Sequence, residues 1–244
     1  MNCEEIIRHL RSLANPANVA GMARYGINPH NTLGVSMPVL RALAKQTGKN
    51  HGLALKLWQS GVHEARILAC LIDDPQRVTD RQMERWVADL DSWDVCDQCC
   101  SNLFDKPSYA RRKAAEWSVR EEEFVRRAGF VLMAALAVHD KTAKDSVFEA
   151  FFPMIKAGST DERNFVKKAV NWALRQIGKR NRRLNTLARA TAEEMKTLNS
   201  GSARWVASAA LRELTGSTVT DRLARTTREA REAQGVPGRR GKRE

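Results

Sequence analysis

Trp93 and Asp97 stand four positions apart in the segment Trp93-Asp94-Val95-Cys96-Asp97, a spacing that sets an indole and a carboxylate on one face of a helix. Arg127 and Trp172 recur in later segments of helical pattern, each beside further basic residues. If those segments pack side by side, an acid, an arginine and two indoles converge on one concave surface. Alone, the Trp93 and Asp97 pair reads more readily as a half-buried tryptophan with an ordinary exposed or capping acid. Its basic surroundings set it apart. Residues 163–183 hold Arg163, Lys167, Lys168, Arg175, Lys179, Arg180, Arg182 and Arg183 around Trp172, with no acid. Solvated helix faces interleave both signs, so this run reads as a phosphate-binding ridge, and chemistry beside it would act on a polyanion.

The whole chain carries the same bias. Lys and Arg number 41 against 28 acids among 244 residues, a formal charge of +13, which points to nucleic acid or an anionic surface as partner. A hydrophobic content of 43% supports a substantial core and excludes a disordered chain. No run approaches the ~18 apolar residues of a spanning helix, and the first residues lack the basic and apolar regions of a signal peptide. A soluble, cytoplasmic protein with no membrane partner is expected. The five cysteines, Cys3, Cys70, Cys96, Cys99 and Cys100, are odd in number and crowded, unlike a disulfide framework. Cys96 and Cys99 have C-x-x-C spacing, but no second ligand cluster follows. They are expected to be small buried helix residues, with no metal and no cofactor required.

Apolar residues recur at helical spacing almost throughout, as in Ile6, Ile7, Leu10 and Leu13, and sustained alternation is absent. Gly and Pro breaks at Asn15-Pro16, Asn28-Pro29, Gly34 to Pro38, Gly48, Gly61, Asp74-Pro75, Lys106-Pro107, Gly158, Gly178 and Gly201 leave about a dozen helices of ordinary length. Thr79, Asp91 or Ser92, Asp161 and Ser202 are candidate N-caps, and Pro153 is expected to kink or end its helix. Short loops imply antiparallel hairpins. Val125-Arg126-Arg127-Ala128 and Val166-Lys167-Lys168-Ala169 are similar and 41 residues apart, a hairpin-repeat distance. The fold class expected is therefore all-α, an α-solenoid of HEAT-like helical hairpin repeats with a concave basic face, over residues 1–220. Residues 221–244 are expected to form a basic, partly flexible tail. Trp58, Trp86, Trp117 and Trp205 fall in apolar patterns and read as core.

In order and spacing, four segments resemble the AlkD-like family of HEAT-repeat DNA glycosylases, which excise alkylated purines: Met22-Ala23-Arg24-Tyr25, Ser92-Trp93-Asp94-Val95-Cys96-Asp97, Phe124-Val125-Arg126-Arg127-Ala128, and Val166-Lys167-Lys168-Ala169-Val170-Asn171-Trp172-Ala173-Leu174-Arg175. The resemblance runs from the N-terminus to about Gly216. It implies a catalytic cleft of Trp93, Asp97, Arg127 and Trp172, with Tyr25 near the lesion and DNA contacts by Arg126, Lys167, Lys168, Arg175, Lys179 and Arg180. The chain departs from the pattern in having one tryptophan before Asp94 where some relatives have a pair, in its cysteine cluster and in its basic C-terminal extension.

What the resemblance implies is chemically coherent. An N3- or N7-alkylated purine is cationic and leaves without protonation, so one carboxylate suffices. Asp97 would stabilise the oxocarbenium-like sugar and orient or deprotonate water. Trp93 and Trp172 would flank the sugar with their π faces, and Arg127 would grip a backbone phosphate. No lysine nucleophile stands out, so a monofunctional hydrolase acting on duplex DNA as a monomer is expected. The family is associated with a cleft that lacks an enclosing base pocket. The residues alone leave alternatives: Asp97 as a buried acid paired with an Arg or Lys, Arg127 as a helix brace with Arg126 facing outward, Trp172 as core, and Tyr25 as a helix end. The rival function is a non-catalytic HEAT-like module that reads DNA structure or binds protein.

Overall fold

Capping residues and proline punctuate the chain into short helices that the core then stacks. The computed structural model describes residues 1–233. Its helices are α1 (Cys3–Ser12), α2 (Pro16–Arg24), α3 (Met37–Thr47), α4 (His51–Gln59), α5 (His63–Ile72), α6 (Asp80–Ala88), α7 (Trp93–Cys99), α8 (Ala110–Ser118) and α9 (Glu123–His139). There follow α10 (Asp145–Glu149), α11 (Phe152–Gly158), α12 (Asn164–Gly178), α13 (Arg182–Lys196), α14 (Gly201–Leu214) and α15 (Ser217–Ala233). Among the described residues there is no strand, and no helix is long and apolar enough to cross a membrane. Asn2, Asn15, Asn50, Thr79, Asn181 and Ser200 each accept a backbone N–H of the first turn they cap.

Successive helices pair as hairpins: α4 with α5, α8 with α9, α11 with α12, α13 with α14. One layer then runs α5, α7, α9, α12, α14, each packed on the next, while α8, α11 and α13 adjoin one another in the other. This is the expected hairpin solenoid. The long α9 sits at its centre between α8 and α12, and every residue from Arg127 to Ala137 is buried. An aromatic ladder ties α4, α6 and α8 together: Trp58 stacks on Trp86 at 4.1 Å between centroids, and Phe104 bridges Trp86 to Trp117. The outer indole N–H groups of the ladder are satisfied, Trp58 donating to Asp89 and Trp117 to Glu84, each at 2.8 Å.

Several local expectations are corrected. Pro153 lies in the first turn of α11 and starts that helix, where its missing N–H costs nothing. Ser200, not Ser202, caps α14, and Arg163 occupies the N-cap position of α12 while Asp161 accepts its N–H. The boundary at 220 falls inside α15, whose Val219 and Leu223, one turn apart, are both buried; the folded unit extends past it. The basic run 235–243 lies outside the described residues.

Candidate active site

The layered order brings Asp97 of α7 against Arg127 of α9. Arg127 Nε and Nη2 donate to Asp97 Oδ1 at 3.0 and 2.9 Å, and Nη2 also reaches Oδ2 at 2.9 Å. Arg127 Nη1 donates to the carbonyl of Phe165, in the first turn of α12, at 2.6 Å. One guanidinium thus joins three consecutive helices of the layer. Burial pushes the Asp97 carboxyl up to about 6, against the opposing charge and hydrogen bonds of Arg127, with a smaller upward push from Asp94. Its side chain retains 17% exposure. The carboxylate is therefore reachable, ionised at neutral pH, and fixed in orientation, with acceptor capacity left on Oδ2.

Trp93 is half-buried on the same face of α7, with the Arg127 guanidinium carbon 6.0 Å from its ring centre. Its Nε1 donates to the carbonyl of Tyr25 at 3.0 Å. This bond draws the end of α2 toward the site. Next in the chain, Gly26 has a φ of +77°, and a Cβ there would sit 2.5 Å from the ring of Phe165, so only glycine allows both this turn and this approach. Phe165 in turn packs on Phe124 of α9 at 5.6 Å. Ser92 accepts the backbone N–H of Asn28 rather than capping α7, and Asp91 accepts from the Asn28 side chain, which ties down the loop after Gly26. Trp172 is half-buried on α12, two turns beyond Phe165 and so on the same side of that helix. Tyr25 presents its ring to solvent at 77% exposure.

Sequence reasoning missed Phe165 and His63 here. Phe124 and Phe165 are themselves 41 residues apart and share the repeat register already visible in Val125 and Val166. His63, at the start of α5, bonds Asp94 Oδ2 through Nε2 at 2.8 Å. Burial opposes the charged imidazole, but the hydrogen bond and charge of Asp94 outweigh it and raise its pKa. Cys96, Cys99 and Cys100 are free and buried, and burial pushes the thiols of Cys99 and Cys100 well above the ordinary range. Among the described residues no cluster of His, Cys, Asp or Glu has the arrangement to hold a metal ion.

The geometry corrects two readings of the basic residues. Arg127 is only 5% exposed, and its donors serve Asp97 and Phe165, so in this structure it positions the carboxylate instead of gripping a phosphate. The acid-free run around Trp172 is not one ridge. Arg175 and Lys179 both bond Glu213 of α14, and Arg180 donates to the carbonyl of Ala137 while lying over the ring of Phe148. Arg126, half-buried, pairs with Asp161. Lys168 is exposed, and Lys167 lies over the ring of Trp205, 5.7 Å from its centre. Trp205 is itself 44% exposed, not core as its apolar neighbours suggested, because Val206 and Ala207 take the inward face of α14.

Comparison with known proteins gives the arrangement a context. Among curated proteins no match is found. A solved structure described as "A new family of proteins related to the HEAT-like repeat DNA glycosylases with affinity for branched DNA structures" superposes with a TM-score of 0.72 at 19% identity, over 84% of this chain and 92% of the other. At that identity the likeness shows the fold, a HEAT-like helical solenoid. The family model for "DNA alkylation repair enzyme" matches residues 6–214, a span that holds every helix of the site, and the chain accordingly belongs to the DNA alkylation repair enzyme family.

Proposed function

We propose that the protein is a monofunctional DNA glycosylase that hydrolyses the N-glycosidic bond of N3- or N7-alkylated purines in duplex DNA. The observation that carries this reading is Asp97, a fixed and partly exposed carboxylate in a chain of charge +13. A surface that only bound phosphates would be weakened by it, through repulsion. A reaction that builds positive charge on a sugar is helped by it. The alkylpurine leaves with the bonding electrons and becomes neutral, while water adds to the anomeric carbon and its proton passes to Asp97 or to solvent. Because both carboxylate oxygens accept from Arg127, little reorganisation accompanies charge development. Trp93 and Trp172 supply π faces beside the sugar, and exposed Lys168, with Lys167 at Trp205 and Tyr25 at the rim, contacts the duplex along the concave face.

A second reading, a non-catalytic reader of DNA structure, draws on the affinity for branched DNA described for the structural neighbour. It is also favoured by the way Arg127 is consumed in bracing three helices, which a purely structural ion pair would do equally. Single-turnover release of 7-methylguanine or 3-methyladenine from alkylated duplex separates the two. Native protein is expected to release base, and Asp97→Asn to lose on the order of 10²–10³ in rate while still binding DNA. Binding without release by the native protein would establish the reader instead.

A further inference from the structure

Of the six tryptophans in the chain, Trp58, Trp86 and Trp117 build the aromatic ladder, while Trp93 and Trp172 stand half-buried at the site. Trp205 has neither duty, yet it is the most exposed of the six. It belongs to a face of α14 that exposes Gly201, Trp205, Ser208 and Arg212 at successive turns and bears no acid. Lys167 of α12 reaches across to the ring, its Nζ 5.7 Å from the centre, and exposed Lys168 is the next residue. The indole is held in place without being buried. Beside it, the carbonyl of Val206 accepts from the Asn171 side chain of α12 at 3.0 Å, and Ser202 donates its hydroxyl to the carbonyl of Asp161 at 2.7 Å. Glu162 is drawn to the start of the same helix, where it accepts from the Ser200 hydroxyl and the N–H of Ser202. A ligand arriving on this ring therefore meets a surface already ordered.

Cations that neutralise phosphates and an aromatic ring that takes a base face are together the two parts of a single-strand site. A paired duplex satisfies only the first, because each base face is covered by its neighbours in the stack. An unpaired base satisfies both. We infer that Trp205 and Lys167 form a stacking platform for an unpaired nucleotide, at the point where a single-stranded segment leaves the duplex bound on the concave face. The base lies on the indole, and Lys167, with Arg212 two turns along α14, meets the flanking phosphates. Trp205 is a binding residue and takes no part in the chemistry, since α9 and α12 lie between α14 and the helix of Asp97 in the layer. The inference rests on the DNA-binding part of the proposed reading. It adds a substrate class: duplexes that end in, or are interrupted by, single-stranded DNA.

The test compares DNAs that share one duplex, titrated against the full chain by fluorescence anisotropy. One is blunt, one carries a short single-stranded adenine extension, and one carries an extension of the same length built from abasic residues, with the extension placed on either strand end. The abasic extension has the same phosphates without the bases, so its comparison with adenine separates stacking from charge. Native protein is expected to bind the adenine extension roughly tenfold more tightly than the abasic one. Trp205→Ala should bring the two affinities together, and Trp205→Phe, which keeps a ring, should retain part of the preference. Equal affinities in the native protein, or a preference that survives Trp205→Ala, overturns the inference. So does an equal loss on all the DNAs in Trp205→Ala, which would set the indole against paired duplex. Absence of binding to any of them would sink the DNA-binding reading and the platform together. A preference retained by a protein that releases no alkylated base would leave the platform standing and fail only the glycosylase reading.

Discussion

Two helices of the same layer, α9 and α12, begin with nearly the same sequence and put it to different use. Phe124-Val125-Arg126-Arg127-Ala128 and Phe165-Val166-Lys167-Lys168-Ala169 align position by position. The phenylalanines stack on each other, and Val125, Ala128, Val166 and Ala169 are all buried. The fourth position diverges. Arg127 is buried because α7 offers it a carboxylate and α12 the second lone pair of the Phe165 carbonyl, whereas Lys168 stays exposed. Repeat register fixes where a side chain starts, and the adjacent repeat decides whether it braces the layer or faces a ligand. The chemistry of the types agrees: a planar fork suits two acceptors held apart, and a flexible ammonium suits a phosphate in solvent.

The comparison can be broken most severely at its buried half. Arg127→Ala leaves Asp97 without its cation in a buried site, and a loss of about 3 kcal/mol in chemical denaturation at pH 7.5 is expected. The loss should shrink toward pH 5, because a carboxyl whose folded pKa is raised stabilises the fold only while protonated. Arg127→Lys restores charge without the fork and should recover only part of the difference. Next in size is the Gly26→Ala change. A left-handed turn and the Phe165 ring both oppose the added methyl, so a loss of roughly 1–3 kcal/mol is expected; a neutral result would mean that Tyr25 is not held against α12.

A subtler change needs no substitution. With Asp97 titrating near 6, excision should fall as pH drops through that value, where an ordinary carboxylate would hold its activity to about pH 4. Arg127→Lys should move this limb upward, since part of what lowers the pKa is gone. The smallest effect is expected at the exposed half: Lys168→Ala should leave stability within ~0.5 kcal/mol and lower the magnitude of the salt slope of DNA binding by roughly one unit. An unchanged slope would remove Lys168 from the interface.

The sequence made the architecture readable because its signals are local: helical periodicity, Gly and Pro breaks, and a 41-residue echo. The Trp93 and Asp97 pair was equally local. Arg127 was recognised as a site residue, but its role depended on Phe165, reached only once α9 and α12 pack. Glu213 lies 38 residues from Arg175 and neutralises it from the next repeat, so a charge count along the chain misread a set of inter-repeat clamps as a ridge. Trp205 was misread for a related reason: its neighbours have the apolar pattern of a core face, and the indole falls just off that face. Gly26 and Phe165 show the general limit, because their contact joins the second helix to the twelfth and leaves only a glycine as its trace.

One feature of the fold bears on the protein's own survival. Four thiols, Cys70, Cys96, Cys99 and Cys100, lie fully buried around the helix that carries Asp97, and burial holds Cys99 and Cys100 well above the ordinary thiol range. The nucleophile toward an electrophilic alkyl group is the thiolate. On the proposed reading, the reagents that create this protein's substrate also attack sulfur in the proteins around it. The described structure shelters the sulfurs nearest its carboxylate from that attack, so the repair site keeps its shape during the exposure that makes it necessary.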